Sequence, residues 1–245
     1  MKLLTLNLRH DADRWEQRAP LVVAELGHLD PDVIAFQEVA LTIRQAHVLA
    51  VQVAAITGRT YEVVVDAKAE RDPQEGIAIL TRLPILEHER RELPGGARVA
   101  QRVVVNRDGL LLNVINTHLH HRPPGSERTR LKQARDLLEW VGHQDGRSLA
   151  TVLAGDMNAA PDSSTYALIR QRFSSAYVAV HGREPEYTFP TPLVRIPYPS
   201  KTLDYIFYSA DRLEVRDVQI VFSRPPAGDE TLYPSDHFGL MAAFA

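Results

Sequence analysis

Apolar residues recur along the first sixty residues with two different periods, and their order predicts alternating strands and helices. Strands are predicted over residues 2–8 and 33–36, and helices over residues 15–28 and 42–56. The run from Val33 to Phe36 contains no polar residue, which is typical of a strand buried on both faces. Gly58 follows the second helix at the position of a C-terminal cap.

From residue 61 onward the pattern is mainly that of strands. Short runs rich in Val, Ile and Leu, separated by Gly, Pro, Asp and Asn, predict a meander over residues 61–65, 77–81, 85–93, 98–106 and 110–118. Helical spacing returns over residues 126–141 and 163–171, on either side of a buried strand at 151–154. A proline-rich surface loop at 184–200 precedes the last strands, at 203–208, 215–222 and 238–244.

The order of these elements predicts the fold class. No internal repeat, low-complexity tract or Gly/Ser-rich linker interrupts the sequence, so we expect one domain over residues 1–245. Two mostly antiparallel sheets packed together, with helices outside, would bury the apolar runs in a layered α/β sandwich.

Composition excludes several classes of protein. The 28 Lys and Arg residues against 31 Asp and Glu residues lack the basic excess of a general nucleic-acid binder. The chain has no Cys, so it has no disulfide and no thiolate metal site. No apolar run reaches the ~18 residues of a membrane span, so we expect no stable membrane insertion. The first residues enter a strand pattern without a signal peptide, which predicts a cytoplasmic protein.

Polar side chains follow several predicted strands at the point where each strand ends. The buried strand at 151–154 leads into Gly155-Asp156-Met157-Asn158, although Gly, Asp and Asn are also ordinary turn residues. Asp204 lies inside a predicted strand, where burial requires a partner. Loops at one end of a rigid sheet are where sites are built, so these residues form one candidate site. The other strand-end residues are Asn7, Glu38, His118, Asp236 and His237.

The strand-end segments resemble those of the endonuclease/exonuclease/phosphatase superfamily, which has the fold of deoxyribonuclease I, exonuclease III, neutral sphingomyelinases and inositol phosphate phosphatases. The similar stretches run in family order along essentially the whole chain: residues 5–9, 31–38, 76–85, 116–119, 154–158, 203–207 and 235–239. The resemblance implies a four-layer α/β sandwich, deoxyribonuclease I-like, in which two mixed, mostly antiparallel β-sheets pack face to face with helices outside.

The resemblance also implies a metal site. Glu38 would be the main Mg²⁺ ligand, with Asn7 beside it and Asp236 completing the set. Hard oxygen ligands suit Mg²⁺, or Mn²⁺ as a substitute.

The same resemblance implies roles for five catalytic residues. Asp156 would orient or deprotonate the attacking water, and Asn158 would donate to a phosphate oxygen. His237, oriented by Asp204, would hold the other side of the phosphate, and His118 would donate to a non-bridging oxygen. The sequence leaves open whether Asp156 or His237 is the formal base.

The sequence departs from the family pattern at two positions. Arg9 stands where exonuclease III-like repair enzymes have an acidic residue, which weakens the repair-nuclease interpretation. Thr202 stands where the family often has Arg, and whether the adjacent Lys201 substitutes is open.

Several other residues have two interpretations. His118, His120 and His121 could form a zinc site, although the chain lacks Cys. Glu75 could pair with His118, as an acidic residue does in deoxyribonuclease I, or could be a solvated loop acid. The remaining candidates are substrate-binding arginines that could equally be solvated, and aromatic residues of the proline-rich loop: Arg9, Arg122, Arg128, Arg130, Tyr187, Phe189 and Tyr198.

These residues predict a monomeric, Mg²⁺-dependent phosphoesterase that uses in-line attack by an activated water. The expected substrate is a small or terminal phosphoester: a small molecule, a lipid headgroup or a nucleic-acid end. The alternatives are a metal-dependent nuclease acting on DNA or RNA, a catalytically silent binding module of the same fold, and an unrelated zinc hydrolase.

Overall fold

A computed structural model describes residues 1–69, 72–121, 126–144 and 149–245. These residues form two six-stranded sheets, ordered β11-β12-β1-β2-β4-β3 and β5-β6-β7-β8-β10-β9. The strands are β1 Lys2–Asn7, β2 Val33–Ala40, β3 Glu62–Ala69, β4 Asp72–Thr81, β5 Ile85–Leu93, β6 Arg98–Arg107, β7 Leu110–His118, β8 Ala150–Asp156, β9 Ser174–Ser175, β10 Asp204–Tyr208, β11 Val215–Val221 and β12 Gly239–Phe244. The helices are α1 Trp15–Leu29, α2 Gln45–Thr57, α3 Ser126–Gln144, α4 Ser164–Arg170 and α5 Ala176–His181.

Each sheet contains one parallel pair, β1 with β2 and β7 with β8, among antiparallel neighbours. This confirms the predicted mixed and mostly antiparallel sheets. The carboxyl ends of the paired parallel strands meet at one edge of their sheet, because parallel strands run in the same direction.

Three apolar clusters build the layers. Val33 and Ala35 of β2 pack between the two sheets, whereas Ile34 and Phe36 face α1 and α2 on the outer side. Both faces of β2 are therefore buried, which explains its unbroken apolar run. The third cluster packs α3 and α4 against the outer face of the second sheet. The order helix, sheet, sheet, helix confirms the four-layer sandwich.

Two local predictions were wrong. Helix α2 begins at Gln45 and not at residue 42, because residues 41–44 form a turn. The pair β9 and α5 was missed, since a two-residue strand and a six-residue helix are too short to show a period. Ser163 caps α4, with its side chain accepting from the Tyr166 N–H. In the part of the chain that is described, no helix is long and apolar enough to cross a membrane.

Candidate active site

The carboxyl ends of the two parallel pairs bring four predicted site residues together. Asn7 ends β1, Glu38 lies near the end of β2, and His118 and Asp156 end β7 and β8. The register pairs His118 with Asp156, and the antiparallel strand β10 begins with Asp204 directly opposite Asp156. Strand pairing therefore fixes the position of the site.

Asp156 lies at the centre of this group and is buried. Its Oδ2 accepts from Asn7 Nδ2 at 3.1 Å and lies 3.4 Å from His118 Nε2. Its Oδ1 accepts from the backbone N–H of Asn158 at 2.9 Å. The Asn158 side chain lines the pocket but donates to Leu119 O at 3.1 Å.

His237 is held by a buried carboxylate. Its Nδ1 lies 2.8 Å from Asp204 Oδ2, which also accepts from the Thr188 hydroxyl at 2.6 Å. Its Nε2 points toward Asp156, 3.9 Å from Oδ2. The ring of Phe189 packs against the imidazole with centroids 4.8 Å apart. The Asp204 carboxylate at Nδ1 and the packed Phe189 ring therefore fix the orientation of the imidazole.

Burial and neighbouring charge shift the pKa values of the two carboxylates. Burial, strengthened by the charge of Asp204, raises the pKa of Asp156 to about 7, against the opposing effect of His237. The pKa of Glu38 is also raised, because of desolvation and the charges of Asp236 and Glu75. Both carboxylates are poised to take up a proton or a cation.

The two histidines shift in opposite directions. Burial and the adjacent Arg98 guanidinium hold the pKa of His118 well below its ordinary value. For His237, burial opposes the charged form, but Asp204, Asp236 and Asp156 outweigh it and raise the pKa well above the ordinary value. The pocket therefore has one neutral and one cationic imidazole.

Asp236 is fixed by its own neighbours. Ser235 Oγ donates to Asn7 O at 2.6 Å and lies 3.2 Å from Asp236 Oδ1. The guanidinium of Arg9 binds Asp236 through Nη1 and Asp13 through Nε. Arg9 also lines the pocket. In this structure the Arg9 side chain thus balances an acidic residue of the site.

A cavity of about 620 Å³ opens over these residues. Its walls also contain basic and aromatic side chains that the sequence offers as candidates or alternatives. Arg130, Lys201 and His121 supply basic groups, and Phe189 and Tyr198 supply an aromatic rim. The predicted Arg128 is exposed and does not line the cavity, and Arg122 lies outside the described residues.

The donor atoms present fit a hard divalent cation. Glu38, Asn7 and Asp236 offer oxygen ligands, and the pKa of Glu38 is raised by desolvation and by the charges of Asp236 and Glu75, which a cation would offset. Across the described ranges, one tight group of possible metal-binding side chains occurs, made of Asp156, Asp204 and His237. Because His237 Nδ1 already pairs with Asp204, this buried group suits proton transfer better than metal binding.

His118, which ends β7, and the two histidines after it do not form a zinc cluster. The rings of His118 and His121 are 6.4 Å apart, and Arg98 directs one N–H at the Nδ1 of each. A guanidinium between two rings opposes a cation there. Glu75 does not pair with His118 either, because it binds Lys68 at 3.0 Å and lies 3.7 Å from Arg98 Nη1.

Several supporting residues are not evident from the sequence. Thr188 donates to Asp204 behind His237, and Arg98 donates to His118. Arg18 is fully buried in α1 and donates to five backbone carbonyls, among them Leu8 O and Pro234 O, which joins the two chain segments that carry Arg9 and Asp236. A basic residue within an apolar helix face is the one signal that marks Arg18 in advance.

Comparisons with known proteins give a consistent relationship. Residues 4–237 match the sequence profile described as the endonuclease/exonuclease/phosphatase family. Nocturnin of Homo sapiens is 27% identical over 259 residues, an alignment that covers 96% of this chain and 59% of nocturnin. The chain spans between 42% and 66% of the length of the nocturnins that it matches.

Solved structures share the fold. The catalytic domain of human nocturnin with a bound sulfate anion has a TM-score of 0.81 at 24% identity, over 100% of this chain and 94% of that chain. The mannosyl-6-phosphatase of Bacteroides thetaiotaomicron has a TM-score of 0.82 at 18% identity, over 100% and 99%. At these identities the likeness concerns the fold.

Proposed function

The chain belongs to the endonuclease/exonuclease/phosphatase family of divalent-metal-dependent phosphoester hydrolases, and from this premise we propose that it hydrolyses a small or terminal phosphoester with Mg²⁺. One observation carries the proposal. A buried His237–Asp204 pair faces a second buried carboxylate, Asp156, whose pKa of about 7 lies near neutral pH. A group with such a pKa is efficient at exchanging protons there.

Each residue then has a role set by its surroundings. Asp156 takes the proton of the attacking water, because its pKa is raised by burial and by Asp204. His237 donates to a phosphoryl oxygen as an imidazolium, oriented by Asp204. Charge builds on the phosphoryl oxygens during the reaction, so fixed donors around them lower the barrier.

Glu38, Asn7 and Asp236 would hold the metal ion. When bound, Mg²⁺ neutralises negative charge on the phosphoryl oxygens. Release of Asp236 from Arg9 would open the acidic side of the site and turn the Arg9 guanidinium toward the substrate.

The pocket favours a compact substrate. Its arginine and lysine side chains, Arg9, Arg130 and Lys201, are few and lie around a single cavity of about 620 Å³. An enzyme that tracks duplex DNA neutralises several backbone phosphates, whereas this chain has a formal net charge of -3. The sulfate in the nocturnin catalytic domain is a tetrahedral anion like phosphate, and the Bacteroides relative is a sugar-phosphate phosphatase by name; both agree with this substrate class.

A substrate panel tests the proposal. Purified protein is assayed against sugar phosphates, nucleotides, a lipid headgroup phosphodiester and aryl phosphodiesters with Mg²⁺ or Mn²⁺, with EDTA and with Asp156→Asn as controls for metal dependence and contaminating phosphatases. We expect turnover of at least one small ester that both controls abolish. Plasmid nicking is measured in parallel across a salt series. Efficient, salt-sensitive nicking without small-ester turnover would contradict the proposal in favour of a nuclease.

A further inference from the structure

The imidazole of His118 is held from behind by a buried arginine. Arg98, the first residue of β6, is 3% exposed and does not line the active-site cavity. Its Nη1 donates to His118 Nδ1 at 2.9 Å, and its Nη2 donates to His121 Nδ1 at 2.6 Å. One guanidinium therefore holds two of the rings that form the pocket wall.

The direction of these hydrogen bonds fixes the proton on His118. A guanidinium has only donors, so the Nδ1 atom that it contacts must present a lone pair. A neutral imidazole with an accepting Nδ1 carries its proton on Nε2. That Nε2 lies 3.4 Å from Asp156 Oδ2 and 3.9 Å from Glu38 Oε1, on the floor of the pocket.

Glu75, the acidic residue beside Arg98, does not make His118 an imidazolium. A carboxylate at Nδ1 would favour an imidazolium, as Asp204 does behind His237. Glu75 instead binds Lys68 at 3.0 Å and lies 3.7 Å from Arg98 Nη1, the atom that donates to His118. Lys68 and Arg98 together outweigh the single charge of Glu75, so the charge behind His118 is positive.

We propose, on the basis of the function proposed above, that Arg98 is a positioning residue that keeps His118 a neutral imidazole with its single N–H, on Nε2, directed at the substrate. His118 then donates a hydrogen bond to a non-bridging phosphoryl oxygen and does not protonate the leaving group. The pocket uses two histidines in different states, because a cation lies behind one and a carboxylate behind the other. Environments that separate the protonation states of two groups divide their roles.

The tautomer is measurable without turnover. The protein, labelled with ¹⁵N-histidine and supplied with Mg²⁺, is examined by long-range ¹H–¹⁵N NMR, and His118→Gln identifies its signals among the ten histidines. We expect a pyridine-type Nδ1 and a pyrrole-type Nε2 for His118 at neutral pH. Two pyrrole-type nitrogens, or a proton on Nδ1, would overturn the inference.

Variants test whether Arg98 is the cause. Arg98→Met removes both donors, so His118 should populate both tautomers and kcat should fall roughly 10–10²-fold, the range for residues that orient a functional histidine, with a smaller change in KM. Arg98→Lys, which keeps one donor and the charge, should recover part of kcat and the wild-type tautomer. An unchanged tautomer together with unchanged kcat in Arg98→Met would overturn the assignment.

Arg102→Met is the matched control. Arg102 lies on the same strand and is fully buried, but its Nε donates to Asn113 at 2.8 Å and it does not contact the pocket. Both substitutions should lower Tm, whereas only Arg98→Met should change the His118 signals. An equal loss of kcat in Arg102→Met would reduce Arg98 to a purely structural role. Absence of turnover in the wild-type protein would contradict the proposed function, while the NMR signals would still decide the tautomer.

Discussion

Two imidazoles on the floor of the pocket differ in charge because of one side chain behind each of them. Asp204 and the nearby carboxylates raise the pKa of His237, and burial with Arg98 lowers the pKa of His118. Both side chains are ordinary imidazoles, so the opposite pKa shifts come from their surroundings. At this scale, the charge of each imidazole depends in part on one residue, Asp204 or Arg98, that does not line the cavity.

His237 and Asp204 should behave as one functional unit. His237→Ala should reduce kcat on the order of 10²–10⁴-fold, the range for a positioned acid–base group. Since Asp204 acts through His237, adding Asp204→Ala to that variant should cost little more. Steady-state kinetics of the two single variants and the double variant measure this. Losses that multiply in the double variant would contradict the pairing.

Asp156→Asn should abolish turnover and change how stability depends on pH. The pKa of Asp156 is about 7 in the folded protein against a reference value of 3.8. Between these values the unfolded chain ionises while the folded protein keeps its proton, so folded wild-type protein loses stability as pH rises. Asp156→Asn has no carboxyl group at this position, so it does not lose stability in this way as pH rises.

Thermal scans in EDTA measure the difference between the Tm values of Asp156→Asn and wild type. This difference should become more positive by several degrees from about pH 4 to about pH 7 and then level off. Asp211→Asn, at a side chain that is 73% exposed, is the control and should show no such rise. A difference that stays flat or falls over this range would refute the raised pKa.

At the scale of the elements, the pairing of β7 with β8 leaves no room for a side chain at Gly155. Gly155 has φ of +135°, and a Cβ placed there would lie 2.0 Å from Thr117 O. Gly155 lies next to Asp156, and Thr117 lies next to His118. The close contact between β7 and β8 beside the site therefore requires a glycine at position 155.

Gly155→Ala should disrupt this contact, because backbone atoms cannot move aside as a flexible side chain can. We expect a loss of unfolding free energy of at least ~3 kcal/mol, above the usual range for a single strained residue. Gly58→Ala is the control, since Gly58 has φ of +71° with nothing within 4 Å, and should cost only ~1 kcal/mol. Urea unfolding of both variants gives the comparison, and equal costs would contradict the proposed clash.

The sequence predicts elements well where burial imposes a period and poorly where long-range contacts decide. The run Val33–Phe36 predicted a doubly buried strand because both of its faces meet apolar layers. The strand ends also predicted which residues meet, since strand direction brings Asn7 of one sheet and His118 and Asp156 of the other to the same end of the sandwich. By contrast, Thr188 and Arg98 were missed, because a hydrogen-bond partner distant in sequence leaves no local pattern.

At the scale of the whole molecule, acidic residues from distant parts of the chain converge on one site. Divalent metal should therefore stabilise the folded protein as well as activate it. A ligand at 100 times its Kd adds ~2.7 kcal/mol, or roughly 5–10 °C in Tm for a protein of this size.

Glu38→Gln should reduce the rise in Tm caused by Mg²⁺ or Mn²⁺ and should sharply lower turnover. Glu16→Gln, an exposed change on α1, is the control and should keep both. Because the raised pKa of Glu38 means that metal must displace a proton, the rise in Tm should also shrink as pH falls. Scanning fluorimetry across metal concentration and pH measures both effects. Full activity after dialysis against EDTA would contradict the metal requirement.

The position of β12 between β11 and β1 has a consequence for synthesis on the ribosome. Strand β1 is made first, but its partner β12 is separated from it by almost the whole described sequence. At 5–20 residues per second, β1 waits roughly 10–50 s with one edge unpaired, when it is exposed to wrong partners. His237 is synthesised about the same time after Asn7. A nascent or prematurely terminated chain therefore lacks His237, the partner of Asp204. Hydrolysis can begin only after β12 has taken its place between β11 and β1.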